Sequence, residues 1–122
     1  MSAATSQFRV MNATNGTILA ARSGKADTFL RRGLGLMGKR ALPDGGGLVI
    51  QPCNGVVSFF MRFPIDVLFV GGDGKVCKTL PNLRPWKASK IVRGSKFVVE
   101  LPAGTIEQSG TQVGDAVTVE PA

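Results

Sequence analysis

The stretch "SFFMRFPIDVLFV", residues 58–70, decides how this chain folds, because its apolar residues read as strand while Arg62, Pro64 and Asp66 interrupt it. Strand alternation puts Val57, Phe59, Met61 and Phe63 on one face and Ser58, Phe60 and Arg62 on the other. Pro64 has no amide proton for a ladder, so it marks an edge, a bulge or a sharp bend. Beyond it, Ile65, Val67 and Phe69 share one face, and Asp66 lies with Leu68 and Val70 on the other. The stretch is therefore expected to form two strands joined at a proline bend, with Arg62 and Asp66 flanking it. The carboxylate there has two sources of compensation, backbone amides at the bend or the guanidinium. A structural pair, a ligand-facing pair and a catalytic carboxylate all fit this pattern.

Outward from the bend, turn residues divide the chain into short strands. "FRVMNATNGTILAAR" (8–22) reads as a hairpin around Asn15-Gly16, a dipeptide suited to positive φ. "DTFLRRGLGLM" (27–37) opens with Asp27 or Thr28 as an N-cap and carries Phe29, Leu30 and Leu34 at helical spacing, which predicts a short helix ended by glycines and Pro43. "PDGGG" (43–47) reads as a loop, and "LVIQ", "VVSFFMR" and "IDVLFV" as strands rich in β-branched and aromatic residues. "GGDG" (71–74) turns the chain into "KVCKTL"; after a basic loop come the strand "KFVVEL", a short helix within "AGTIEQSG", a "VGD" turn and the strand "AVTVE". The expected fold is mainly β: a compact β-barrel or sandwich with hairpins and one or two short helices. Residues 1–7 are expected to be a flexible segment and residues 8–120 a single β-rich domain.

Length and composition agree with one domain, since 122 residues at 43% hydrophobic content suffice to bury roughly two thirds of the surface the unfolded chain exposes. The N-terminus "MSAATSQF" lacks a basic region followed by an apolar one, and the longest aliphatic or aromatic runs, such as Val67 to Val70, are short. A cytoplasmic chain without a membrane span is the expectation. Histidine is absent, which removes the usual neutral-pH base and the commonest metal ligand. Zinc sites and Ser-His or Cys-His mechanisms are thereby disfavoured, and no metal or cofactor is expected. Cys53 and Cys77 form no CxxC pair and lack a histidine to activate them, so they are expected to be reduced, partly buried thiols.

"GLGLMGKR" (33–40) matches G-x-G-x-x-G and nearly matches a phosphate loop. Both need a strand before the glycines and a helix after them. Here the preceding "TFLRR" reads as helix, Pro43 and three glycines follow, and Arg40 stands where a magnesium-binding hydroxyl belongs. A helix end followed by a loop is the better reading.

The net charge of +7 arises in one segment: Lys75, Lys78, Arg84, Lys87, Lys90, Arg93 and Lys96 lie between Asp73 and Glu100 with no acid among them. Arg84, Lys87, Lys90, Arg93 and Lys96 recur every third residue, which invites polyanion or nucleic-acid binding with Trp86 as a stacking platform. An α-helix would spread these charges around its circumference and a strand would alternate them; a polyproline-like segment would align them about 9 Å apart. A solvated basic loop is the plainer reading.

Taken together, "RRGLGLMGKRAL", "FFMRFPIDVLFV", "DGKV", "RPW" and "VVELPAGTIEQSGTQVGDAV" resemble the domain of unknown function 192 family, also known as uncharacterised protein family 0127, over nearly the whole chain. The resemblance implies a compact, mainly β domain with small helices and no established activity. It also implies a departure, because relatives often have a histidine where Val57 stands. The family's aromatic and "P-I-D" signature is intact as Phe60, Met61, Arg62, Pro64, Ile65 and Asp66.

The leading expectation is a noncatalytic binding or accessory domain for a small molecule or protein. Its candidate site is Phe60, Met61, Arg62, Asp66 and Trp86, in which arginine reads an anionic or polar group and Asp66 orients it. Two alternatives stand beside it: polyanion binding through Lys75–Lys96, and an enzyme using Asp66 as acid or base.

Overall fold

A computed structural model describes residues 7–26, 46–51, 55, 63–85, 87 and 89–122. The strands are β1 (Phe8–Asn12), β2 (Thr17–Ala26), β3 (Gly46–Ile50), β4 (Ile65–Gly71), β5 (Val76–Leu83), β6 (Ser95–Pro102) and β7 (Val117–Pro121), with one short helix, α1 (Thr105–Ser109), between β6 and β7. The described residues are thus mainly β, as expected. The predicted helix over 27–37, the loop 33–40, the strand 56–62 and Cys53 lie outside the described residues, as do Phe60, Met61, Arg62 and Trp86.

The strands form one sheet in the order β5-β4-β6-β3-β2-β1-β7. Every neighbouring pair is antiparallel except β2 and β3, which run parallel. The β1–β2 hairpin turns where Asn15-Gly16 predicts it: Gly16 has φ 77°, and the Asn12 side-chain oxygen accepts the Thr14 and Asn15 amides at 3.0 and 3.2 Å. The β4–β5 hairpin turns through Gly74, at φ 80°, with Asp73 accepting the Lys75 amide at 3.0 Å. The sheet's outermost strands, β5 and β7, approach at an isolated bridge, Lys75 with Ala116. There the Val76 amide donates to the Asp115 carbonyl at 2.9 Å and the Gly114 amide to the Val76 carbonyl at 2.8 Å. The sheet therefore curls toward a barrel without a continuous closing ladder.

Curling gives the sheet an inner and an outer face, each with its own apolar cluster. All seven strands contribute to the inner cluster, through Val10, Leu19, Ala20, Val49, Leu68, Val70, Val76, Val99, Leu101 and Val117. The outer cluster covers one half of the sheet and contains Phe63, Ile65, Val67, Phe69, Leu83 and Val98, with Leu48, Leu80 and Val92 packed against them. The alternation expected for residues 65–70 is thus observed, with Ile65, Val67 and Phe69 facing outward and Leu68 and Val70 inward. Strand β4 is buried at every position because it lies between β5 and β6 with a core on each face. Each fully buried Val, Leu, Ile or Phe contributes about 1.5–3 kcal/mol.

Two local expectations change. Gly46 and Gly47, read as loop, belong to β3 and pair with Arg22 and Ser23 of β2. A Cβ on Gly47 would stand 2.9 Å from the Glu100 carbonyl oxygen and 3.2 Å from the Ala20 Cβ, so glycine there serves close strand approach rather than a turn. Cys77 is a free and exposed thiol rather than a partly buried one, because it is the unpaired residue where β5 slips register against β4, between the pairs Phe69–Lys78 and Val70–Val76. At the far end of the sheet, buried Asn12 donates to Thr111 Oγ1 at 3.0 Å and Asp115 Oδ2 at 2.9 Å, tying the β1–β2 turn to the segment before β7.

Candidate functional site

Chain direction at the start of β4 is set by Asp66. Its residue is 1% exposed, and its carboxylate is taken up by three backbone amides. Oδ1 accepts the Asn82 amide at 2.9 Å. Oδ2 accepts the Gly104 amide at 3.1 Å and the Ile106 amide at 2.8 Å. Asn82 lies where β5 slips register against β4, between the pairs Ile65–Leu83 and Val67–Leu80, and it adopts φ 54°. Bulges of this kind leave an amide out of the ladder, and the carboxylate collects it.

The other two amides belong to the turn entering α1. Its N-cap residue, Gly104, carries no side-chain oxygen and makes no side-chain cap bond. The first amides of a helix have no partner within the helix, and the Asp66 carboxylate supplies one from across the fold. Of the two compensations open to Asp66 in the sequence, the described geometry is the backbone one. The bend, the β5 bulge and the first turn of α1 are consequently fixed to one another through a single carboxylate.

A second acid, which sequence reasoning passed over, lies on the opposite face. Glu100 is 4% exposed, and the register sets it between Leu48 of β3 and Val67 of β4. Within β6 it alternates with Val99 and Leu101, which face inward, so its side chain shares the outer face with Val98 and the Phe63–Ile65–Val67–Phe69 cluster. Among the described residues, none offers this carboxyl a hydrogen bond or an opposite charge, and burial alone pushes it up from the ordinary 4.5 to about 8. Glutamate is almost never fully buried without a partner. The sequence signal was available: "KFVVEL" places an acid inside a strand that is apolar on both faces.

The two acids therefore do different things. Asp66 on the inner face holds backbone, whereas Glu100 on the outer face is a hydrogen-bonding group in apolar surroundings. Phe63, the first described residue of the bend, is buried against the same cluster that surrounds Glu100. The bend and Glu100 thus share the outer face.

Of the basic residues, Lys78 and Lys96 lie on the outer face of β5 and β6, and Arg84, Lys87, Lys90 and Arg93 lie in the connection from β5 to β6. Lys75, Lys78, Arg84, Lys87, Lys90, Arg93 and Lys96 are all exposed. The connection from Arg84 to Gly94 contains no described strand or helix, so spacing of three does not by itself align the charges on one edge. Its apolar residue Ile91 is also exposed, at 69%. No described group of three or more acids and cysteines is arranged to hold a metal ion. Among the described residues, no helix is long and apolar enough to cross a membrane.

Comparison with known proteins agrees with this architecture. The family model DUF192, described as "Uncharacterized ACR", matches residues 10–119. A UPF0127 protein of Pyrococcus furiosus is 33% identical over 111 residues, spanning 87% of this chain and 93% of its own. A UPF0127 protein of Thermococcus sibiricus is 32% identical over 118 residues, spanning 91% of this chain and 74% of its own. Among solved structures, a protein of unknown function from Novosphingobium aromaticivorans superposes with a TM-score of 0.79 at 24% identity, covering 92% of this chain and 83% of that one. That likeness is one of fold.

Proposed function

The chain belongs to the uncharacterised family DUF192, and from its geometry we propose that it is a noncatalytic domain that binds a small ligand at the bend leading into β4. One observation carries this reading. The bend delivers Phe63 and Ile65 onto a buried sheet face whose carboxyl, Glu100, is satisfied by nothing among the described residues. Buried polar groups without partners are rare in folded proteins, and a bound group that completes the carboxyl accounts for this one. In this reading Phe60, Met61 and Trp86 supply apolar contact, and Arg62 reads a polar or anionic group. Asp66 acts as a positioning residue: with its oxygens on three amides, it keeps the bend in register rather than moving protons.

The test is a metabolite and fragment screen on the intact chain, read by thermal shift and by fluorescence of the single Trp86. Compounds that bind the parent and lose at least tenfold affinity in Arg62→Ala support the reading. A screen that gives no hits, or hits indifferent to Arg62→Ala in a folded variant, removes its basis.

A second reading, polyanion binding, is favoured by the exposure of every lysine and arginine from Lys75 to Lys96. Counterion release then drives association, so binding to heparin or single-stranded DNA weakens steeply with salt. Binding that is absent at low salt, or insensitive to salt, contradicts it.

A further inference from the structure

We propose that Glu100 is the recognition group of a buried subsite for a primary ammonium carried on an apolar body. The inference rests on the reading of the outer face as a small-ligand site and names the chemistry of its ligand.

Four features of the structure point to that chemistry. Glu100 is 4% exposed and flanked across the sheet by Leu48 and Val67, so whatever meets its oxygens must also fill apolar surroundings. Its own strand supplies Val98 on the same face, and β3 contributes no titratable residue among Gly46–Ile50. The acid of β4, Asp66, is on the opposite face and committed to amides. The described cations on the outer face of this half are Lys96, Lys78, which is opposite Phe69, and Arg22, which is in register with Gly46 two residues from Leu48, and all three are exposed. Lys96 is four residues from Glu100, about 13 Å along an extended strand, beyond charge-pairing distance. The carboxyl is therefore neither neutralised nor hydrogen-bonded by any described neighbour.

A neutral hydroxyl would give such a group one hydrogen bond and no charge compensation. An anion would add repulsion. An ammonium gives both a charge-assisted bond and an opposite charge where the surroundings screen poorly. When it binds, the carboxyl releases its proton to solvent, and the buried face gains an ion pair with no net charge. The apolar body of the ligand then meets Val67, Val98 and Leu48.

Three probes of one size separate the chemistries: phenethylamine, 2-phenylethanol and 3-phenylpropionate, titrated by calorimetry at pH 8 into the full chain and into Glu100→Gln. The expected result is that the amine binds at least tenfold more tightly than the alcohol, and that Glu100→Gln abolishes this preference while leaving the alcohol unchanged. If the alcohol or the propionate binds as tightly as the amine, the ammonium assignment is overturned and the small-ligand reading stands. If no probe binds while the fragment screen still gives hits that depend on Arg62, the inference alone falls; with no hits from either, both fall. Should Glu100→Gln fail to fold, the order of the three affinities in the parent chain decides.

Discussion

The Asp66 carboxylate accepts the Asn82 amide at 2.9 Å, and Asn82 is the described non-glycine residue with positive φ, at 54°. One side chain thereby stabilises the left-handed turn of the β5 bulge, while its second oxygen caps α1 through Gly104 and Ile106. Asparagine tolerates this backbone region better than most residues. Removing the carboxylate strands three amides at once. Asp66→Ala is expected to lower stability by about 3–5 kcal/mol, and Asp66→Asn, which keeps one acceptor oxygen, by about 1–2 kcal/mol. Urea unfolding of the two variants checks the order; equal losses, or a loss below about 1 kcal/mol for alanine, would mean that the amides find other partners.

Glu100 makes stability depend on pH in the direction opposite to that of a salt-bridged acid. Its carboxyl titrates near 4.5 when unfolded and near 8 when buried. Between those values the folded chain holds a proton that the unfolded chain has released, so stability falls as pH rises. At pH 7 the penalty is about 3 kcal/mol relative to pH 4 for this group alone. Glu100→Gln keeps the shape without the titration and is expected to flatten the decline and to be more stable than the parent at pH 7. Denaturant unfolding between pH 4.5 and 8 measures both slopes, and parallel curves for parent and variant would contradict the burial of an unpaired acid.

Gly47 is a packing glycine. A Cβ there meets the Glu100 backbone oxygen at 2.9 Å, and backbone in the middle of a sheet cannot swing aside as a side chain can. Gly47→Ala is expected to destabilise by about 1–3 kcal/mol. By contrast, Gly24→Ala on the neighbouring strand meets only the Leu48 Cδ1 at 3.6 Å and should be close to neutral. A melting series on the two variants distinguishes close strand approach from a general intolerance of alanine in this pair of strands.

Much of the architecture was legible because period two is a property of the extended backbone. Residues 65–70 sort onto two faces as their alternation predicts, and Asn15-Gly16 and Gly71–Gly74 turn the chain where positive φ is needed. Other features depend on contacts that local pattern does not encode. The Gly104 and Ile106 amides lie 38 and 40 residues from Asp66, so nothing near Asp66 in sequence announces its partners. Gly46 and Gly47 resemble a loop until β2 and β6 are known to flank β3. Glu100 is marked in sequence only by its apolar neighbours in "KFVVEL"; that its carboxyl meets no partner depends on β6 lying between β3 and β4, with an apolar layer over each face.

The central claim is that the bend and the outer sheet face form a ligand site. Its most direct measurement is the change in backbone amide shifts of the isotope-labelled chain when a screening hit is titrated in. The account predicts saturable shifts concentrated at Phe63, Ile65, Val67, Leu48 and Val98–Glu100 that persist in salt, rather than shifts in the basic connection from Lys87 to Lys96 alone. Shifts confined to that connection and erased by salt would contradict the claim and leave polyanion binding in its place.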